Sequence, residues 1–433
     1  MAYKLNQKIK IFAQEISGGK VEESLQKLFS NDNVLNISCL PDFYQKEHTK
    51  WPSGITVVAK DTILPNLLEG VGCGISLFKL KTDDSFEKEK LKEIMELIAK
   101  SIKDIDIIRK SAELFKQPES IIQFQDYLIL SEIGHIGEKW RNDTLSEIRF
   151  NQLDEKIFNE YVDWPPRDMG LALIEGNHFI EIQEVEEIFN QKFSEILQID
   201  KGDILLMIHL ESEGLNLELE KKFNKKYSDK KITYPSKEAN EYISLTNISQ
   251  RYCLMNRIII ARAIIESLKK KNFGIEELSF VFDVTHCGIF KRKENGKIKL
   301  YHHTGASPAL PPGDVNLSKI IRSSGQPLIL PGALGTESYI LKSSEGTTNS
   351  SFTINHGLGR KISKAYARAN FKEEDVPKTF KYKDMQVKQV SGGDLASQMN
   401  TCYKDISKIL EIITKNNLAT KVAKVKPLGI IKG

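Results

Sequence analysis

Residues 54–80 read GITVVAKDTILPNLLEGVGCGISLFKL. The two short segments Ile55–Val58 and Ile75–Leu80 run apolar or alternate in the manner of strands. Gly54, Gly70, Gly72 and Gly74 crowd the backbone around them into tight turns. Outward from this stretch the pattern changes period. From Asp84 to about Gln117 the residues Leu91, Ile94, Met95, Leu97, Ile98, Ile102 and Ile105 recur at helical spacing and predict one helix. Asn240–Lys269 carries a long apolar face and predicts a second, and Lys404–Ile413 a third. Strands are expected at Leu205–Leu210, Leu278–Val284, Ile298–His302, Pro327–Leu330, Tyr339–Leu341 and Val422–Leu428, with a strand and a short helix within residues 1–35. Strands and helices interleave without a regular βαβ rhythm. The expectation is a complex α+β fold, mixed sheets with surrounding helices, in a single large domain over residues 1–433.

The chain has 433 residues, enough to bury a core without disulfide or metal staples. Its 40% hydrophobic and 28% charged residues exclude a disordered, collagen-like or coiled-coil protein. No apolar run approaches the ~18 residues of a membrane span, and the first ten residues, MAYKLNQKIK, hold no apolar signal core. The five cysteines include no CxxC pair, the usage of a reducing compartment, so a cytoplasmic location is expected. The net charge of +4 permits a polyanionic partner without demanding one. Lys221, Lys222, Lys225, Lys226, Lys230 and Lys231 crowd one stretch with Phe223 and Tyr227. It reads either as a phosphate-tracking patch with stacking aromatics or, by preference, as a solvated loop.

The usual nucleotide and hydrolase cradles are missing: there is no GxxxxGK[ST], no GxGxxG after a strand, no HExxH and no GxSxG. Chemistry is instead expected where histidines cluster with glycines. His178 lies in GNHFIEIQ, His209 in LLMIHLESEG, His286 in FDVTHCGI, His302 in LYHHTGASPALPPG and His356 in NHGLGR; Cys73 lies in EGVGCGI. Taken singly, each histidine is more often a satisfied core or surface residue, and the cysteine a small core residue. His209 and His286 end apolar strand-like runs, where a buried strand delivers a side chain to a cleft. A thiolate with several imidazoles suits manganese, zinc or iron rather than an all-oxygen calcium or magnesium cage.

The longer motifs resemble the RtcB family of RNA-splicing ligases. They run in family order: LPD at 40–42, GCG at 72–74, GNHFIEIQ at 176–183, the strand ending in His209, DVTH at 283–286 and GASPALPPG at 305–313. GQPLILPGALGTESY at 325–339, HGLGR at 356–360, YKDI at 403–406 and KPLGIIKG at 426–433 complete the series, so the resemblance covers residues 38–433. It implies joining of an RNA 2′,3′-cyclic phosphate or 3′-phosphate to a 5′-hydroxyl, as in tRNA splicing or RNA repair, with GTP as co-substrate and two manganese ions. RNA ends, as tRNA halves or broken RNA, are the implied partners; whether an activating protein takes part stays open. Carried over by motif, Cys73, His178, His209 and His286 resemble the metal ligands, the cysteine bridging one ion shared with His178 and another shared with His209 and His286. His356 matches the histidine that becomes guanylylated. Asn177, Phe179 and Glu181 match nucleotide contacts, Tyr403 and Lys432 match residues bordering the guanine, and Ser338 lies in a nucleotide-lining segment.

The chain also departs from the family pattern. Gly70 stands where an aspartate is usual three residues before the cysteine, Tyr44 where a histidine is, Glu213 where an arginine is and Cys287 where an asparagine is. His303, Thr304 and Pro308 replace basic residues. Glu69, in a segment one residue shorter than the pattern, is either the substitute carboxylate or an exposed turn residue, and without it one metal position is expected to be weak. Two other readings stand beside ligation. One is a guanylyl transfer to a different phosphorylated end; the other is a paralogue with weak or no ligation that binds RNA or a partner.

Overall fold

The helix Lys237–Lys269 is buried on nearly every side from Ile243 to Leu268, with polar Gln250, Arg251, Asn256 and Arg257 buried among its apolar residues. Ser236 caps it, its hydroxyl accepting from the Ala239 N–H. It packs on an eight-stranded sheet whose order is Pro327–Leu330, Ser338–Ser343, Ala419–Lys432, Phe179–Ile188, Ile204–Leu210, Gly74–Thr82 and Ile275–Thr285. The eighth strand, Gln386–Gln389, runs parallel to the far part of Ala419–Lys432. A six-stranded sheet is ordered Tyr3–Asn6, Ile9–Ile11, Val34–Tyr44, Ser53–Ala59, Lys297–Thr304 and Cys287–Glu294. A small ladder of Ala306–Pro308 with Thr353–Asn355 forms a third sheet. This computed structural model describes residues 3–6, 8–13, 21–45, 51–64, 70–83, 87–123, 153–172, 174, 176–227, 232–271, 273–392 and 394–433.

The mixed α+β architecture agrees with the expectation, and each expected strand is present with its ends moved by no more than four residues. Two local readings differ. The single helix expected from Asp84 to Gln117 is divided into Leu91–Ser101 and Ile105–Ala112. Asp104 ends the continuity: its carboxylate accepts from the N–H groups of Asp106 and Ile107 and starts a new helix. The lysine-rich stretch is not a loop as far as it is described. Residues Glu213–Tyr227 are helical, and Phe223 and Tyr227 point into the core, so neither ring is available for stacking on a base. Lys222 pairs with Asp163, and Lys226 with Glu160 and buried Glu241. Lys230, Lys231 and Glu69 lie outside the described residues. Among the described residues, no helix is long and apolar enough to cross a membrane.

Candidate metal and nucleotide site

Four adjacent strands bring their ends to one edge. Cys73 immediately precedes Gly74–Thr82, His178 precedes Phe179–Ile188, His209 is the penultimate residue of Ile204–Leu210, and His286 follows Ile275–Thr285. The antiparallel register aligns these ends, with Phe179 opposite His209, His209 opposite Ile75 and Ile75 opposite Val284. Residues spread over most of the chain thus meet because the ladder puts them in one row. Behind the row, the fully buried Arg257 guanidinium donates to the carbonyls of Leu210 (2.8 Å) and Gly72 (3.3 Å) and pairs with Asp283 at 2.8 Å. It therefore ties the turn before Cys73 to the end of the His209 strand.

Cys73, His178 and His209 place their donor atoms within 4.8 Å of one another, all three buried. The Cys73 sulfur is 3.5 Å from His178 Nε2 and 3.4 Å from His209 Nε2. The His209 and His286 rings are 5.1 Å apart, and the His286 and His356 rings 4.5 Å. Burial, reinforced by the neighbouring cationic groups, holds His209 and His286 well below the usual histidine range. Both are therefore neutral imidazoles, the form that binds a metal. Their Nδ1 atoms are buried with no hydrogen-bond partner among the described residues. Burial, then the charge of Glu211, pushes the Cys73 thiol well up, so a cation is needed to draw off its proton. A sulfur, neutral imidazoles and orphaned ring nitrogens fit a transition-metal ion.

His356 follows the short strand Thr353–Asn355, whose partner Ala306–Pro308 begins just after Gly305. Its Nδ1 lies 2.7 Å from the Gly305 carbonyl and 2.7 Å from Asp42 Oδ2. The LPD motif ends in Asp42, to which the sequence assigns no role; the structure makes it a partner of His356. Gly54 leaves room for it, since a Cβ at that position would stand 2.6 Å from Asp42 Oδ1. Lys404 fixes the same strand, its ammonium donating to the carbonyls of Pro41 (3.1 Å) and Phe43 (2.9 Å).

The residues expected around a nucleotide fall into two groups. Glu181 and Lys432 lie on the paired strands Phe179–Ile188 and Ala419–Lys432, both buried. Lys432 Nζ donates to the carbonyls of Gly176 (3.2 Å) and His178 (3.1 Å) and stands 5.7 Å above the Phe179 ring. Gln183 Nε2 donates to Glu181 Oε1 at 2.6 Å and to Ser338 Oγ at 3.3 Å, which links Ser338 to this group. Burial pushes the Glu181 carboxyl up to about 7 and Lys432 down to about 7. Tyr403 belongs to the second group. The Arg360 guanidinium lies 5.0 Å from its ring and donates to its hydroxyl at 3.2 Å. Asn177 is exposed at the turn before His178. His302 does not join the site: it is buried elsewhere, its Nε2 accepting from the Leu64 N–H at 3.0 Å.

Compared with known proteins, residues 32–433 match the family model described as tRNA-splicing ligase RtcB. The curated tRNA-splicing ligase RtcB of Methanococcus maripaludis is 26% identical over 446 aligned positions, covering 93% of this chain and 91% of that protein. The one of Archaeoglobus fulgidus is 31% identical, covering 63% of this chain and 62% of that protein. The one of Thermococcus kodakarensis is 28% identical, covering 60% and 59%.

Proposed function

Since the chain belongs to the RtcB family of tRNA-splicing ligases, and so to a family of RNA ligases, we propose that it joins an RNA 3′-phosphate, or a 2′,3′-cyclic phosphate once opened, to a 5′-hydroxyl through a GMP adduct on His356. The observation that carries this reading is the placement of His356. Its Nδ1 is occupied by Asp42 and the Gly305 carbonyl, which leaves Nε2 with the lone pair, and its ring lies against His286 beside the Cys–His cluster.

In this reading His356 Nε2 attacks the α-phosphorus of GTP, the bond to the bridging oxygen breaks and pyrophosphate departs. Asp42 stabilises the positive charge that the ring acquires. An oxygen of the RNA 3′-phosphate then displaces the imidazole and takes the GMP. Finally the 5′-hydroxyl attacks the RNA phosphorus, GMP leaves and a phosphodiester remains. Cys73, His178, His209 and His286 would hold divalent ions, proposed as manganese, which when bound neutralise phosphate oxygens. The Glu181 carboxylate suits the N1–H and N2–H donors of guanine, a pattern adenine lacks. Lys432 suits guanine O6, while Ser338, Phe179, Asn177 and Tyr403 would line the nucleotide.

A changed acceptor is the second reading, favoured by His303. At a position where the family pattern is basic, His303 is buried and its Nδ1 is bonded to the Ala306 carbonyl, so it offers a phosphate no exposed cation. Incubation with α-labelled GTP and manganese tests the common first step. An acid-labile protein–GMP adduct is expected in the wild type and none in His356→Ala; an adduct that persists in the variant overturns the assignment.

A further inference from the structure

We propose that Glu211 is a metal ligand, supplying the carboxylate that completes the site on the Gly70 side of Cys73. This rests on the metal-binding reading of the Cys–His cluster. Cys73, His178 and His209 provide three donors, and a manganese-like ion takes more, with carboxylate oxygens among those it favours. Glu211 follows His209 by two residues and is the first residue past the end of the strand Ile204–Leu210.

An ideal Cβ at Gly70 would lie 2.9 Å from Glu211 Oε2, with φ of +75° at that glycine. The carboxylate therefore occupies the space into which a side chain three residues before Cys73 would project. A side chain at Gly70 would compete with Glu211 for that space. The charge of Glu211 also acts on the Cys73 sulfur, so the two groups share one electrostatic environment. Glu211 stands outside the 4.8 Å triad. The ion it binds is thus one that shares the Cys73 thiolate, approached from the side of the Gly70 turn. A carboxylate and a thiolate would together offset the two charges of the ion.

Cobalt(II) titration of the full chain without nucleotide tests this, read by thiolate-to-cobalt charge-transfer absorption and by the number of ions retained. The wild type should bind two ions. Glu211→Gln, checked for unchanged fold by circular dichroism, should bind one of them about a hundredfold more weakly, at the upper end of the loss seen when a metal site's supporting partner is removed. The reciprocal exchange Gly70→Asp with Glu211→Gly should restore most of that affinity, because aspartate tolerates positive φ and would enter the emptied space. Charge-transfer absorption and stoichiometry identical in wild type and Glu211→Gln would overturn the role of Glu211 while leaving the Cys–His site standing. A wild type with no charge-transfer band would overturn that site, and Glu211 with it.

Discussion

The Asp42 carboxylate meets His356 Nδ1 at 2.7 Å and has no exposed surface of its own. A buried carboxylate on one ring nitrogen fixes the tautomer and aims the other nitrogen outward. Asp42→Asn should therefore slow formation of the GMP adduct roughly 10²–10³-fold. Losing the comparable aspartate of a serine-protease triad costs about 10⁴, and here the Gly305 carbonyl still accepts from Nδ1. Single-turnover labelling, with His356→Ala as the floor and GTP affinity as the control, measures it. An unchanged rate would mean that Asp42 only packs.

Glu181 makes stability depend on pH. Burial raises its carboxyl from 4.5 to about 7. Between those values the folded chain keeps a proton that the unfolded chain has released, so stability falls as pH rises through the window. Above about 7 the penalty is complete, on the order of 3 kcal/mol. Lys432, lowered from 10.5 to about 7, acts in the next window: the unfolded chain holds the extra proton, and stability recovers as pH rises towards 10.5. Glu181→Gln, without nucleotide, should melt higher than the wild type at pH 8 and equally at pH 4. The same variant should lose its preference for GTP over ATP in adduct formation, a discrimination of about 1–3 kcal/mol.

Lys226 is expected to matter for stability rather than for RNA. Burial pushes Glu241 up, but Lys226, Tyr161 and Tyr227 outweigh it and hold the carboxyl below its ordinary value. Lys226→Ala leaves that buried carboxylate with only the exposed Lys237 ammonium, 3.8 Å away, as a cation and should cost about 1–3 kcal/mol, since Lys226 is itself one-third exposed. Chemical denaturation gives the loss. The slope of RNA affinity against salt should stay as it was, and a slope reduced by about 0.7, one phosphate contact on a single strand, would restore the phosphate-tracking reading.

Arg257 and Asp283 form a pair with no exposed surface on either side chain. Arg257→Met should destabilise by about 3–5 kcal/mol, because Asp283 is left as an uncompensated buried charge. Adding Asp283→Asn should recover part of that loss, and equilibrium unfolding of the wild type and the two variants checks both statements. The metal affinity of the double variant should nonetheless remain low, because the carbonyls of Gly72 and Leu210 lose their common donor.

Three of the four strands that carry the site, Gly74–Thr82, Ile204–Leu210 and Ile275–Thr285, were legible from short apolar runs, and His209 and His286 could be read as strand-end residues; Phe179–Ile188 was not, because Glu181, Glu184, Glu186 and Glu187 break its apolar pattern. What joins them was not legible. The pairing of Phe179 with His209 and of His209 with Ile75 is a property of register, which depends on residues far apart in the chain. The role of Asp42 was hidden for a related reason: an acid in a strand pattern ordinarily faces water, and its burial beside His356 depends on Gly54 and His356, far apart in the chain. The lysine-rich stretch was misread because its charges hid a helix. Leu215, Leu219 and Phe223 recur every four residues, and that spacing buries one face beneath the lysines.

The strand Ala419–Lys432 lies between Ser338–Ser343 and Phe179–Ile188, inside the large sheet rather than at its border. During synthesis the ribosome delivers it after every other strand of that sheet. Until then Phe179–Ile188 and Ser338–Ser343 each expose an unpaired ladder, and the carbonyls of Gly176 and His178 lack the ammonium of Lys432. A nascent chain stalled before residue 419 therefore presents two open sheet borders, the kind of surface that chaperones cover and that otherwise pairs with neighbours.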